Sequence, residues 1–469
     1  MKKIKFFIFS FAISFSQAQE SISLDSIVNS FVVDNAIYNA HVGLSLFDVD
    51  QNKPLVEYHS KKLFLPASIQ KLFTTATALE LLPLDFTFET EIFYSGKVDQ
   101  ASGYVNGNLF IKCIGDPSLE SRYLPNKSFL KELKEQLALR GIKGFDGGLV
   151  LINQKDDFYQ VNSNWLWGDI GNYYGAGVSN FSFRDNFIEV FFNSSDSVGQ
   201  LTAISKIIPK IDNLEIINEV VGGLSSKDLA YAYGGPNHST RKIIGEIPTG
   251  KKDFSVKISM PNPKEFLINE IAHVIDFKNK PVQDSSIQNL FNYSSPKLVE
   301  LLKVINKRSN NNYTEHVLLA AMGGLDSLKY IDLGPVHMKD YWKEKLMIND
   351  QFYLVDGCGL SRKNALSPEI VNKLLLNLNN NERVKEEFVS TLAVAGVSGT
   401  LKYLGKGSAY EGQFKGKSGS MDGVRCYAGY FYKHNKTYAF TIMINNFTCS
   451  AKKTKDIISK LMNSLYIQL

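Results

Sequence analysis

The chain has 469 residues, of which 44% are hydrophobic and 21% charged, so it can bury two or three ordinary cores and lacks the composition of a disordered protein. Its formal charge is +5, and without the three lysines Lys2, Lys3 and Lys5 it is +2. A charge this small argues against nucleic acid or an anionic membrane as a partner recognised through bulk charge.

The N-terminus has the pattern of a secretory signal peptide. The three lysines precede an apolar run over residues 6–15, and Ser16-Gln17-Ala18 follows as a small-x-small cleavage site. The run is shorter than the roughly 20 residues needed to cross a bilayer. We therefore predict a signal peptide over residues 1–18 and an exported protein, periplasmic or associated with the cell envelope, with no integral membrane segment after cleavage.

Cysteine and histidine do not indicate a metal site. The seven histidines are scattered, and no HExxH or CxxC pattern is present, so we predict no metal and no cofactor. A core of this size does not require disulfide bridges, even in an oxidising compartment. Four cysteines are available: Cys113, Cys358, Cys426 and Cys449.

The first elements in the chain place a serine at the start of a helix. A short amphipathic segment, residues 24–33, precedes two predicted strands, residues 41–47 and 54–59, which flank a polar turn. Apolar residues at helical spacing then predict a helix over residues 69–82. Ser68 therefore lies at or just inside a helix N-terminus.

The middle of the chain has a different pattern from its two ends. Residues 86–282 show short alternating strands separated by Gly, Asn and Asp turns, and helical spacing returns at residues 295–305 and 313–322. Two strands, residues 426–432 and 438–444, then form a predicted hairpin, followed by an amphipathic helix over residues 452–466. We predict a discontinuous catalytic domain, residues 19–87 and 286–469, interrupted by a β-rich region, residues 88–285, of one or two nested domains.

Ser68-Ile69-Gln70-Lys71 is the first candidate for chemistry. A serine three residues before a lysine on a helix shares its face, so a neutral amine can remove the hydroxyl proton. The helix N-terminus adds free N–H groups where an oxyanion would develop. The same spacing also occurs where a helix-capping serine is the simpler interpretation: at Ser128, Ser239, Ser294 and Ser450.

Two further motifs favour the chemical interpretation at Ser68. Ser309-Asn310-Asn311 lies downstream in the second helical region, and Lys417-Ser418-Gly419 leads into the C-terminal hairpin. The three motifs in this order are typical of active-serine enzymes that react with penicillin.

Other segments extend the similarity over most of the chain: residues 115–119, 165–169, 356–362 and 395–401. With the three motifs, they make the chain resemble the low-molecular-mass class C penicillin-binding proteins, which are D-alanyl-D-alanine carboxypeptidases/endopeptidases. The resemblance implies an α/β (α+β) transpeptidase domain of the penicillin-binding and serine β-lactamase type, interrupted by a large, mostly β insertion. Cys358 stands where the family has serine, and Ser418 where threonine is commoner.

The resemblance also implies catalytic roles. Ser68 would attack the D-Ala-D-Ala carbonyl with Lys71 as general base. Ser309 would relay a proton to the leaving D-alanine, and Asn311 would hold the substrate amide. Lys417 would stay protonated. Burial and a second nearby cation would lower the pKa of Lys71 toward neutrality.

Substrate binding is implied at two places. The hydroxyls of Ser418 and Ser420 would bind the terminal carboxylate, and the N–H groups of Ser68 and Ser420 would form the oxyanion hole, with Gly419 permitting close approach. The inserted region would recognise the ammonium of the stem-peptide side chain. The residues implied there and at the pocket border are Asp169, Tyr174, Arg362 and Met421.

The predicted function is therefore a serine D,D-peptidase acting on peptidoglycan stem peptides, with cleavage of D-Ala-diaminopimelate cross-links as a second activity and with β-lactam antibiotics as covalent inhibitors. Two alternatives stay open. A class A serine β-lactamase would require a Glu in an E-x-x-x-N context, which is absent between Asn311 and Lys417. A catalytically silent wall-binding scaffold would not need the intact motifs.

Overall fold

The computed structural model describes residues 23–152, 160–283, 286–324 and 330–469. The predicted signal peptide, residues 1–18, lies outside these ranges. The described helices are α1 (Leu24–Val32), α2 (Lys71–Leu81), α3 (Phe129–Leu139), α4 (Trp167–Ile170), α5 (Pro263–Val274), α6 (Leu298–Arg308), α7 (Asn311–Ala321), α8 (Tyr330–Lys345), α9 (Pro368–Asn379), α10 (Lys385–Thr391) and α11 (Ala451–Gln468).

The described strands are β1 (His41–Asp48), β2 (Lys53–Tyr58), β3 (Glu89–Tyr94), β4 (Tyr104–Val105), β5 (Leu109–Lys112), β6 (Gly144–Phe145), β7 (Leu149–Ile152), β8 (Phe187–Asn193), β9 (Ala203–Ile208), β10 (Glu215–Gly223), β11 (Leu229–Tyr233), β12 (Thr240–Pro248), β13 (Phe254–Ser259), β14 (Asp276–Phe277), β15 (Gln288–Ser294), β16 (Ala393–Val394), β17 (Phe414–Met421), β18 (Val424–Lys433) and β19 (Lys436–Asn445).

Strands from both ends of the chain form one six-stranded sheet. Its order is β16-β17-β18-β19-β1-β2, and β1 pairs antiparallel with β19. The predicted C-terminal hairpin is present, and His434 and Asn435 at its turn have positive φ values of 49° and 61°. This is the conformation that a two-residue hairpin turn of type I′ requires.

Side chains alternate between the two faces of the sheet along each strand, and helices cover both faces. On β19, Phe440 and Ile442 belong to a core shared with α1 and α11, whereas Ala439 and Met443 belong to the core that holds α2, α6, α7 and α9. This second core contains the helix that follows Ser68, so the nucleophile motif is anchored against a rigid layer.

The middle of the chain forms separate, smaller sheets around its own core. The largest has the order β15-β3-β5-β7. Two helices that the alternating pattern did not predict, α3 and α5, pack into this core through Phe129 and Phe266. The residues that cap these two helices could be recognised in the sequence. Ser128 accepts a hydrogen bond from the N–H of Lys131, and Asn262 precedes a proline at the first helical position.

The two ends of this middle region meet at one point. The N–H of Phe88 donates to Ser295 Oγ, and the N–H of Ser295 donates to the Phe88 carbonyl, both at 2.9 Å. Since β15 pairs with β3, the strand pairing favours an end of the inserted region near Ser294 rather than at residue 285. The division of the chain into domains stays a prediction.

Within the described part of the chain, no helix is long and apolar enough to cross a bilayer. All four cysteines are free thiols, and Cys113, Cys358 and Cys426 are buried.

Candidate active site

Ser68 lies in a short 3-10 helix, Ala67–Gln70, that runs directly into α2. Ala67, the residue before it, is buried and has a φ of 46°. A non-glycine residue in the left-handed region is strained, and such strain persists where the surroundings enforce it, often at functional sites. Two of the other serines with the same spacing, Ser128 and Ser450, are ordinary helix caps.

The amine of Lys71 has three neighbours. Its Nζ lies 3.0 Å from Ser68 Oγ, 2.7 Å from Asn311 Oδ1 and 2.6 Å from the carbonyl oxygen of Cys358. A neutral amine has two N–H donors and one lone pair. Because Asn311 and Cys358 offer only acceptors at this point, they take the two N–H groups, and the lone pair is left for the Ser68 hydroxyl.

Burial lowers the pKa of Lys71, which has no exposed surface, and this favours the neutral amine that a general base needs. The charges of Cys358, Asp356 and Glu315 oppose the shift. A second nearby cation is also predicted from the sequence to lower the pKa of Lys71. In the structure, burial is the cause that lowers this pKa.

The second motif forms the turn between α6 and α7. Ser309 ends α6 with a φ of 59°, and the Asn310 side chain caps α7 by accepting from the N–H of Tyr313 at 3.0 Å. The turn brings Ser309 Oγ to 2.8 Å from Lys417 Nζ. Both the nitrogen and the oxygen of the Asn311 side-chain amide are hydrogen-bonded. Its Nδ2 donates to the Tyr174 carbonyl at 2.7 Å, and its Oδ1 accepts from Lys71.

Lys417 is fully buried on β17 and donates to Ser309 Oγ and to the Ser418 carbonyl, both at 2.8 Å. Burial first, and the charge of Lys71 second, place the pKa of Lys417 well below its usual range. This burial opposes the expected protonated state of Lys417, which stays a prediction. A carboxylate bound beside it would supply the missing counter-charge.

Strand β17 lies directly against the 3-10 helix that carries Ser68. A Cβ on Gly419 would come within 2.6 Å of the Pro66 carbonyl oxygen and 3.1 Å of the Ser68 nitrogen, so only glycine permits this approach. The Ser418 hydroxyl donates to Thr400 Oγ1 at 2.7 Å, and Ser420 is exposed on the strand.

One cleft of about 470 Å³ connects these groups with the inserted region. Predicted site residues that line it are Ser68, Asp169, Tyr174, Ser309, Asn311, Arg362, Ser420 and Met421. Asp169 is half-buried, and burial raises its pKa, while the Arg362 charge and a hydrogen bond from Tyr174 oppose the shift. Lys71 and Lys417 lie behind the cleft wall rather than on it.

The sequence matches one known protein family over most of its length. Residues 24–466 match the model of the D-Ala-D-Ala carboxypeptidase 3 (S13) family. The chain belongs to this family. The predicted family resemblance and the predicted class of enzyme, a serine-type D-Ala-D-Ala carboxypeptidase, are thereby confirmed.

Curated relatives of this S13 chain include two bacterial enzymes. It is 26% identical to D-alanyl-D-alanine carboxypeptidase DacB of Haemophilus influenzae over 445 residues, covering 92% of this chain and 89% of the relative. It is 24% identical to the D-alanyl-D-alanine carboxypeptidase of Actinomadura sp. (strain R39), covering 89% and 80%.

Solved structures confirm the predicted fold class of this S13 chain. Penicillin binding protein 4 of Haemophilus influenzae matches with a TM-score of 0.74 at 21% identity, over 94% of this chain and 98% of that one. A second structure of the same protein, in complex with a β-lactam, has a TM-score of 0.72. A predatory endopeptidase of Bdellovibrio bacteriovorus matches at 0.51 with 15% identity.

Several residues at this S13 site were not predicted from the sequence. Thr400, which pairs with Ser418, falls in a segment that carried the resemblance, so a signal existed for it. Arg308 lines the cleft beside Ser309, and Tyr231 reaches it from β11. No sequence pattern indicates Tyr231. It belongs to none of the motifs, and only the folded chain brings it to the same cleft as Ser68.

Proposed function

We propose that this S13 chain is a serine D,D-peptidase that hydrolyses the D-Ala-D-Ala end of peptidoglycan stem peptides through an acyl-enzyme on Ser68. Cleavage of D-Ala-diaminopimelate cross-links is the second activity we propose, since both reactions break the bond after a D-alanine. The observation that supports this best is the Lys71 amine, whose lone pair is left for Ser68 Oγ at 3.0 Å.

In the proposed reaction, Lys71 takes the Ser68 proton as Oγ attacks the D-alanine carbonyl carbon. The N–H groups of Ser68 and Ser420 stabilise the oxyanion of the tetrahedral intermediate. Ser309, held by Lys417, relays the proton that Lys71 has taken up to the departing amine as the C–N bond breaks, and Lys71 becomes neutral again. Water then attacks the ester and releases the shortened peptide.

The two ends of the substrate have separate partners in this proposal. The hydroxyls of Ser418 and Ser420 bind the terminal carboxylate, and a protonated Lys417 attracts it from behind the cleft wall. At the other end, Asp169 binds the side-chain ammonium of the stem peptide. Tyr174, Met421 and Arg362 border that pocket, and Asn311 has one amide N–H left to donate to the peptide.

The proposal includes an exported location and covalent inhibition by β-lactams. The lysines and apolar run of residues 1–18 support export, and the location of peptidoglycan outside the cytoplasmic membrane requires it. The β-lactam complex of the Haemophilus influenzae relative supports the second point.

Labelling with a fluorescent penicillin tests the function. We expect wild type to form a stable adduct that Ser68→Ala abolishes with little change in melting temperature, because the hydroxyl contributes little to packing. Lys71→Ala should slow the labelling by several orders of magnitude. Rapid turnover of the penicillin would indicate a β-lactamase instead, and an unlabelled wild type would indicate a scaffold.

Mass spectrometry of purified muropeptides after incubation identifies the substrate. Loss of one D-alanine from pentapeptides is the expected result for carboxypeptidase activity, and conversion of cross-linked dimers to monomers is expected for endopeptidase activity. Unchanged muropeptides from a chain that penicillin labels would contradict the proposed substrate.

A further inference from the structure

The segment Asp356-Gly357-Cys358 is clamped to the helix that carries the general base. Its three successive carbonyl oxygens each accept a hydrogen bond from a side chain of the 3-10 helix or α2: Asp356 from Gln70, Gly357 from Thr74 at 2.7 Å, and Cys358 from Lys71 at 2.6 Å. The position of this backbone therefore sets where the Lys71 amine lies.

Glu315 holds the same segment from the opposite side. Its side chain extends from α7, four residues after Asn311, and only 2% of the residue is exposed. The N–H of Gly357 donates to its two oxygens at 3.0 and 3.2 Å, and the Cys358 thiol also forms a hydrogen bond with it. A Cβ at Gly357 would lie 2.9 Å from Leu318 Cδ2 and 3.3 Å from both Glu315 oxygens, so a side chain here would displace its neighbours.

Asn311 and Glu315 lie on one face of α7, because residues four apart on a helix are neighbours. Asn311 binds the Lys71 amine directly, whereas Glu315 is linked to it through the backbone of Gly357 and Cys358, from the Gly357 N–H to the Cys358 carbonyl. The two acceptors of the amine are thus both supported by a single helix, and that helix also follows Ser309.

The pKa of Glu315 agrees with a role in supporting the Lys71 amine. Burial first, and the charge of Asp356 second, raise the pKa of Glu315 to about 8, while Cys358, Gly357 and Lys71 oppose the shift. Glu315 is therefore mostly neutral at pH 7. A charged Glu315 would raise the pKa of Lys71, so its neutral form leaves the amine free to act as a base.

We propose that Glu315 is a positioning residue for the general base: by accepting from the Gly357 N–H, it holds the backbone of Gly357 and Cys358 so that the Cys358 carbonyl fixes the Lys71 amine with its lone pair toward Ser68. The inference rests on the proposed function, because it assigns a role in the same acylation step.

Acylation kinetics of the full chain with benzylpenicillin test this role. Glu315→Ala should lower the acylation rate constant by about 100-fold, since small misplacements of a catalytic group are that costly, and should leave the dissociation constant of the non-covalent complex unchanged. Glu315→Gln keeps an acceptor for the Gly357 N–H and should restore most of the rate at pH 7. His316→Gln, a buried neighbour that faces Ser179 and Asn312, is the matched control and should keep the wild-type rate.

The pH profile adds a readout that a purely structural role would not change. Ionisation of Glu315 on raising the pH opposes deprotonation of Lys71, so the Glu315→Gln rate should rise at a lower pH than the wild-type rate. If Glu315→Ala is acylated as fast as wild type, the role of Glu315 is overturned while the proposed function stands. A Glu315→Gln variant that is acylated slowly and has an unshifted pH profile would overturn that role as well. A wild type that is not acylated would instead overturn the proposed function and this role with it.

Discussion

Asp169 is the residue at which we propose that substrate recognition is separate from the chemical step. It reaches the cleft from α4 in the inserted region, while Ser68 and Lys71 belong to the layer beneath the six-stranded sheet. Its carboxylate is half-buried and hydrogen-bonded to Tyr174, so it is held in place before any ligand arrives.

We predict that Asp169→Ala lowers kcat/KM for diaminopimelate-containing peptides by about ten- to a hundredfold, as expected for a lost charge-assisted hydrogen bond of roughly 1.5–3 kcal/mol. Acylation by benzylpenicillin, which lacks the ammonium-bearing side chain, should stay close to wild type. Steady-state kinetics on both compounds check this. If both reactions fall together, Asp169 supports the contact between the regions instead of binding substrate.

At the residue scale, the motifs allowed the reactive groups to be predicted but not their supports. Ser68, Lys71, Ser309 and Lys417 have side-chain chemistry that few other residue types supply, so their spacing was informative. Glu315 acts through a backbone N–H of a segment 42 residues away. Any sequence can supply a backbone N–H, and no pattern marks the one that is used.

At the scale of elements, the contact between β17 and the 3-10 helix at Ser68 leaves no space for a side chain at Gly419. We predict that Gly419→Ala reduces the acylation rate by about 100-fold, because β17 must move away from the nucleophile. Stopped-flow labelling with a fluorescent penicillin measures this effect.

Gly334→Ala is the control for this substitution. Gly334 lies in α8, where an added Cβ would meet only ordinary contacts at 3.8 Å or more, and alanine favours a helix by up to about 1 kcal/mol. It should keep the wild-type rate. Equal rates for the Gly419 variant and wild type would contradict the tight approach of β17.

Elements with a strong periodic pattern were predicted closely. The predicted strands at residues 41–47 and 438–444 correspond to β1 and β19, and the last helix is longer than its prediction by one residue at its start and two at its end. Six of the described helices were not predicted: α3, α4, α5, α8, α9 and α10. For α3 and α5, the alternating pattern of the long β-rich region obscured the caps that mark their starts. Ser367 and Pro368 mark the start of α9 as clearly as any signal in the chain.

At the scale of the whole molecule, the inserted region is bound to the catalytic layer by buried polar contacts. Trp165 Nε1 donates to Asp356 Oδ2 at 2.9 Å, and Asn162 Nδ2 donates to the carbonyls of Ile331 and Val355 at 3.0 and 2.8 Å. Asp356 belongs to the segment whose Cys358 carbonyl accepts from Lys71, so this contact joins the inserted region to the backbone around Lys71.

We predict that Trp165→Phe lowers the free energy of unfolding by about 1–3 kcal/mol, since it leaves a buried carboxylate oxygen with one hydrogen bond fewer. Urea denaturation measures the loss. Trp167→Phe is the matched control two residues away. Its side chain is 61% exposed, so the change should stay within about 0.5 kcal/mol. Similar losses in both variants would mean that the indole hydrogen bond is unimportant.

The sheet order β16-β17-β18-β19-β1-β2 has a consequence for how the protein is made. Ser68 leaves the ribosome 349 residues before Lys417, and β1 has no β19 to pair with until Asn445 has been made. A nascent or prematurely terminated chain therefore lacks both the strand that closes the sheet and the amine that holds Ser309. Chains that stop before Lys417 therefore lack a complete catalytic site, and the catalytic groups come together only after β17 and β19 have been made.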